Sequence, residues 1–328
     1  MYTKSGLKKQ YEVINMSVFG AFSGIFTIFL LFAVGFLATK QKVLTPEHYA
    51  FCTKLLTGYA IPVLLFENAT RNMTMSFIRE MGLLLLVPFA VQILSFGVAI
   101  LSGKLFCIEE KRRGVFTAMF SMANTIFIGL PVCTEIFGDA GTPYVMAFYL
   151  ANTTCFWMLA VPLLARDGSG EAPSMLQRLK NSFSKQVRGF LLGSVVGLLS
   201  IPLPGFLLSA AKYIGNLTTP LSAMMVGHLF ATMGKDAFHT DKLVRTALVG
   251  KCLICPLLAA GLCLLLGVPQ LAAGVFIVLS AMPVMNQTVI MASQYGADDR
   301  AAAKGLALSL ICCMACIPVI VALVSTLY

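Results

Sequence analysis

Two asparagines, Asn124 and Asn286, stand deep inside apolar runs, each close to a proline that interrupts the run. The first run reads Ser121-Met-Ala-Asn124-Thr-Ile-Phe-Ile-Gly129-Leu-Pro131, the second Ser280-Ala-Met-Pro283-Val-Met-Asn286-Gln-Thr288. A carboxamide both donates and accepts hydrogen bonds, so it suits loosened backbone and a polar ligand alike. Thr125, Gln287 and Thr288 add polar groups beside them, and Gly129 admits a close neighbour. Pro131 and Pro283 are read as the breaks themselves, because proline lacks an N–H and crowds the preceding turn. A broken helix exposes N–H groups at a new start and carbonyls at a new end. Starts attract anions and ends attract cations. The chemistry on offer is reversible binding of a small polar or charged molecule at Asn124, Thr125, Asn286, Gln287 and Thr288.

Weaker candidates are Gln92 and the pair Asn152-Thr153, which either face the same cavity or hold helices together. Lys251 lies in an otherwise apolar stretch, where an ionisable group is costly and marks a site unless its stem reaches the aqueous side. His228 reads as a side chain satisfied by a neighbouring carbonyl, and Glu67 and Glu135 as solvated near span ends. The ten cysteines, among them Cys252-Leu-Ile-Cys255 and Cys312-Cys-Met-Ala-Cys316, have no histidine or acidic ligand close by in sequence. They suit helix packing, and no metal site is expected. No HExxH, GxSxG, Walker loop or strand-linked GxGxxG occurs, so neither enzymatic activity nor a cofactor is expected.

Composition decides what must position these residues. A soluble domain is about 45–50% apolar and about 25% charged. This chain of 328 residues is 58% hydrophobic and 12% charged, which excludes that class. No charged residue occurs from Cys252 to Ala297, a run split only at Gly267-Val-Pro-Gln270 into two stretches of membrane-crossing length. Strands of alternating polarity, as a barrel needs, are missing. The pattern predicts an all-α polytopic membrane protein of ten spans. In the first half they cover residues 17–38, 50–66, 82–101, 114–137 and 144–165. In the second they cover 189–200, extended by a kink at Pro202 and Pro204, then 217–233, 243–266, 271–293 and 303–327.

The formal net charge of +10 records orientation rather than a polyanionic ligand. With the amino terminus outside, only Lys4, Lys8, Lys9, Arg71, Arg79 and Lys212 of the 24 basic residues fall on the outer side. The rest, including Lys104, Lys111, Arg112, Arg113 and the group from Arg166 to Arg188, fall on the other. The positive-inside rule therefore predicts a multi-pass cell-membrane protein with both termini outside the cytoplasm.

The halves rhyme. Gly35 and Gly193, Pro62 and Pro220, and Gly138 and Gly296 are each 158 residues apart. Five spans per half is an odd number, so the second copy enters the membrane from the opposite face, as an inverted repeat. The expected organisation is residues 1–165 as the first repeat, 166–187 as a cytoplasmic linker, and 188–328 as the second repeat. The broken spans four and nine then occupy matching positions, the strongest sequence pointer to a site at the repeat interface.

At these residues the chain resembles the auxin efflux carrier family of membrane transporters, in its prokaryotic branch. The resemblance rests on Ala60-Ile-Pro62-Val-Leu-Leu-Phe66, Asn124-Thr-Ile-Phe-Ile-Gly-Leu-Pro131, Pro220, Lys251 with Pro256, and Met282-Pro283-Val-Met-Asn286 through Tyr295-Gly296. It implies a ten-helix 5+5 inverted repeat, similar to bile-acid/sodium symporters and sodium/proton antiporters, with broken crossover helices four and nine. Spans one, two, six and seven would form a scaffold, through which two copies could pair. Spans three to five and eight to ten would form a moving transport bundle. The implied substrate is a small organic carboxylate such as malate, malonate or auxin, moved by elevator-type alternating access and contacted by Asn124, Thr125, Asn286 and Gln287. The coupling ion, H+ or Na+, stays open. Two alternatives of the same fold remain: a sodium-coupled carrier of a sterol-like or neutral substrate, and a ligand-sensing receptor that does not transport.

Overall fold

The computed structural model of the protein describes residues 18–168, 171, 173–232 and 240–327. Lys4, Lys8, Lys9 and the expected start of the first span lie outside the described residues, as do the expected end of the seventh span at Met233 and parts of the linker. Among the described residues the backbone is helical apart from turns and one isolated bridge. A helix satisfies its own N–H and C=O groups, which is what an apolar chain without strand alternation requires.

The elements run α1 (Val18–Lys40), α2 (Pro46–Asn72), α3 (Met75–Met81), α4 (Gly82–Leu105), α5 (Arg113–Ser121), α6 (Thr125–Phe137) and α7 (Asp139–Asp167). They continue as α8 (Met175–Ser182), α9 (Lys185–Leu198), α10 (Gly205–Asn216), α11 (Thr218–Thr232), α12 (Lys242–Leu265), α13 (Gln270–Ser280), α14 (Asn286–Tyr295) and α15 (Asp299–Leu327). By length and composition α2, α4, α7, α12 and α15 are each able to cross a membrane. Large apolar side chains such as Leu30, Leu105, Leu192, Phe206 and Leu265 face outward. An apolar exterior around a helical interior is that of a polytopic membrane protein.

Four helical prolines leave the same local signature. Pro62, Pro131, Pro162 and Pro256 each follow one widened turn, at Leu56–Ala60, Thr125–Gly129, Phe156–Ala160 and Gly250–Ile254. In those turns the bond spans five residues: Ile61 N–H to Leu56 O, Gly129 N–H to Asn124 O, Val161 N–H to Phe156 O and Cys255 N–H to Gly250 O. The wider turn moves aside the carbonyl that the proline ring would strike, and the helix continues.

This corrects the reading of Pro131 as a break. The chain unwinds at Met122–Asn124 and is already helical again at Pro131. Pro283, by contrast, does sit in the unwound stretch between α13 and α14. The expected kink extending span six is also corrected. Helix α9 ends at Leu198, Ser200 takes φ +51°, and Pro204 precedes the first residue of α10. Residues before proline avoid the helical region, so a pair of prolines makes a turn more readily than a bend. The next helix therefore starts at Gly205 rather than Leu217, where α10 passes into α11.

Glycines let certain helices touch backbone to backbone. A Cβ on Gly35 of α1 would lie 2.0 Å from Met224 O of α11, and one on Gly193 of α9 would lie 2.2 Å from Phe66 O of α2. Helix α1 thus packs on α11 and α2 on α9. His228 of α11 joins the first pair: its Nδ1 lies 3.0 Å from the Thr39 hydroxyl and its ring stacks on Tyr49. The ring also hydrogen-bonds the Leu44 backbone, in line with the carbonyl partner expected for it. Glu67 is buried and paired with Arg71 at 2.5 Å instead of solvated, whereas Glu135 is exposed.

The half-helices occupy the centre. Every residue of α5 from Gly114 to Ser121 is buried, as is every residue of α13 from Ala272 to Ser280. Unwound backbone is thereby shielded from lipid. At one end of the bundle Arg112 holds Asp241 and Asp298, both at 2.6 Å, and so ties the loops preceding α5, α12 and α15.

Candidate functional site

The two unwound stretches cross side by side. Ala123 and Val284 form an antiparallel bridge, and Asn124 N–H donates to Pro283 O at 2.8 Å. At the crossing the Asn124 amide donates to Asn286 Oδ1 at 3.2 Å. The two candidate asparagines, 162 residues apart, therefore meet.

Many of the backbone groups freed at the first break have side-chain partners. Asn124 Oδ1 accepts Phe127 N–H at 3.2 Å and caps the start of α6. Asn152 of α7 accepts Ala123 N–H and donates to Ala123 O, both at 3.0 Å, replacing the missing helical bonds. Gln92 of α4 donates to the same Asn152 oxygen. At the end of α5, Lys251 Nζ donates to Ser121 O at 3.1 Å and Cys255 Sγ to Phe120 O at 3.2 Å. Its start is capped by Asp167, which accepts Val115 N–H at 2.8 Å. An unpaired buried group would cost about 1–3 kcal/mol, which explains the density of side chains here.

The second break is finished more sparsely. Ser309 Oγ accepts Val284 N–H at 3.0 Å. No side chain caps α14; Thr288 N–H reaches Met285 O at 2.9 Å. Among the described residues the N–H groups of Asn286 and Gln287 have no acceptor. They present the positive end of α14 to whatever lies in front of it.

In front of it is a cavity of about 590 Å³, open mouth included. Asn124, Thr125, Asn286 and Gln287 line it together. Thr288 does not: it is fully buried, and its hydroxyl has no partner among the described residues. Gly129 and Pro283 support the crossing without lining the cavity; Gly129 leaves room for Leu279, whose Cδ2 would be 2.5 Å from a Cβ there. Gln92 and Asn152 act on the backbone behind the site, and Pro62 and Pro220 lie outside it, Pro220 in the first turn of α11 where no donor is needed.

Sequence reasoning missed much of the wall. Tyr149 and Trp157 line the cavity from α7 on either side of Thr153, which the sequence had offered as a cavity residue. The four-residue spacing along these positions was a readable signal of one helical face. Thr57 comes from α2, and Asn181, Ser184 and Gln186 come from the segment read only as a linker. Tyr149 Oη lies 2.9 Å from Ser184 Oγ, and Gln186 Nε2 donates to Thr57 O at 3.3 Å. Nothing in the local sequence marks those three as site residues.

A cavity with converging amides at the crossing of two unwound helices, inside an apolar helical bundle, is the arrangement of a membrane transport protein. A family model described as membrane transport protein matches residues 21–321, and the chain belongs to that family, that of the auxin efflux carriers. An uncharacterized transporter of Methanocaldococcus jannaschii is 23% identical over 285 residues, covering 86% of this chain and 92% of that protein. One of Methanothermobacter thermautotrophicus is 25% identical over 291 residues, covering 86% and 91%.

Proposed function

We propose that the protein is a secondary carrier of a small organic carboxylate, working by elevator-type alternating access. The observation that carries this reading is the uncapped start of α14, whose free N–H groups adjoin a cavity that also holds the Asn124–Asn286 amide pair. Paired N–H groups at a helix start suit a carboxylate, and amides suit its remaining oxygens. Among the described residues no acidic side chain lines the cavity to repel it.

The ten-span inverted repeat draws support from reciprocal packing. Gly35 touches Met224 and Gly193 touches Phe66, and both members of the second contact are offset by 158 residues from their counterparts in the first. Helices α1, α2, α9, α10 and α11 form the scaffold on this reading; α4 to α7 and α12 to α15 form the moving bundle. Since Asn181, Ser184 and Gln186 of the basic linker line the cavity, the positive-inside rule makes this state open to the cytoplasm.

The test is a thermal-shift screen of purified protein against mono- and dicarboxylates and neutral or sterol-like compounds, followed by uptake in proteoliposomes. Stabilisation and uptake confined to carboxylates are expected. Stabilisation by neutral compounds alone would overturn the anion assignment, and binding without uptake would overturn transport.

A further inference from the structure

Lys251 is fully buried at the edge of the crossing, and among the described residues no carboxylate pairs with it. Among the described residues the groups facing it are Ser121 O of α5, the thiols of Cys252 and Cys255 on its own helix, and the thiol of Cys313 on α15. A buried ammonium without a counter-ion is expensive, so something must compensate it. The compensating group is the end of α5. That half-helix stops at Ser121, and its terminal carbonyls carry about half a unit of negative charge. Lys251 reaches Ser121 O from the widened turn Gly250–Ile254, which Pro256 imposes on α12.

In carriers built from broken helices, the ends of half-helices and their unwound carbonyls are where a coupling cation binds. Here one of those ends already has a cation, covalently attached. We propose that Lys251 is a tethered cation that fills the cation site at the end of α5, so that this half of the crossing takes up no sodium ion. The inference rests on the carrier reading for its meaning but not for its test. It separates the two breaks: among the described residues the end of α13 has its own backbone turns and the Ser280 hydroxyl bonded to Ile277 O, and no side-chain cation.

The experiment is the melting temperature of purified protein without substrate, in sodium, methylammonium or choline chloride at equal ionic strength. Wild type should melt alike in all three. Lys251→Ala should melt lower by about 5 °C or more in choline, and sodium or methylammonium should recover at least half of that loss. Sodium stabilising wild type more than Lys251→Ala would overturn the proposal, as would Lys251→Met melting like wild type in choline. If neither neutral variant yields folded protein, Lys251→Arg is the deciding variant. A folded Lys251→Arg indifferent to sodium supports a required fixed charge; an unfolded one overturns it. Because no substrate is added, this outcome is independent of the carboxylate screen.

Discussion

The two breaks at the centre of the molecule carry similar residues and are finished differently. Around the first, Asp167, Lys251, Cys255, Asn124 and Asn152 cap both half-helices and the strand-like residue between them. Around the second, Ser309 holds one N–H and the start of α14 stays open. The difference teaches that an unwound helix is not itself a binding site. Where side chains consume the freed backbone groups the break is structural; where they leave N–H groups facing a cavity it is available to a ligand.

The largest expected effect of breaking this contrast is on stability. Asn152→Leu strands Ala123 N–H and the Gln92 amide in a buried place and leaves Ala123 O with Thr125 N–H alone. It should lower stability by about 3 kcal/mol or more, while Ser309→Ala, which strands chiefly Val284 N–H, should cost about 1–2 kcal/mol. Thermal unfolding of the two purified variants measures the difference, and equal losses would erase the distinction between the breaks.

The asparagines sharpen it next. Asn124→Ala and Asn286→Ala should each reduce uptake by about tenfold or more, equivalent to about 1.4 kcal/mol, with expression intact. Only Asn124→Ala removes a helix cap, so it alone should also cost about 1 kcal/mol of stability. Either variant transporting at the normal rate would remove that asparagine from the site.

The smallest effect concerns the tie between halves at Arg112. Partial burial pushes the Asp241 carboxyl up, but the Val244 N–H and the Arg112 guanidinium outweigh it and hold it below the usual carboxylate range. A depressed carboxylate contributes stability that is present above the unfolded value of about 3.9 and is lost as pH falls through the lower folded value. Arg112→Gln should therefore melt below wild type at neutral pH, and the gap should narrow in acid. A gap unchanged down to acid would dismiss the Asp241 contribution. The tie is partly exposed, so the shift should be small.

Much of the fold was legible because lipid leaves few options. Long apolar runs, short loops and biased basic residues identify helices that cross a membrane, and the amides among them stand out because polar groups there are costly. That Asn124 and Asn286 belong to one site was readable from their matching context. Pro131 misled because a proline within a helix and a proline in a break look the same in one dimension. A widened turn absorbs the first, and only neighbouring backbone distinguishes them. Lys251 and Asn152 were visible as polar residues, but their roles were not: each acts on carbonyls or N–H groups about 30 to 130 positions away along the chain.

By itself the sequence determined the class of protein and singled out the pair of amides, since hydrophobic length and residue type are local properties. Tertiary structure decided which break is closed and which is open. It also recruited Asn181, Ser184 and Gln186 to the cavity and set Lys251 against the end of α5. The physical reason is that a freed backbone group has no local partner, and what satisfies it is settled only when distant helices pack together.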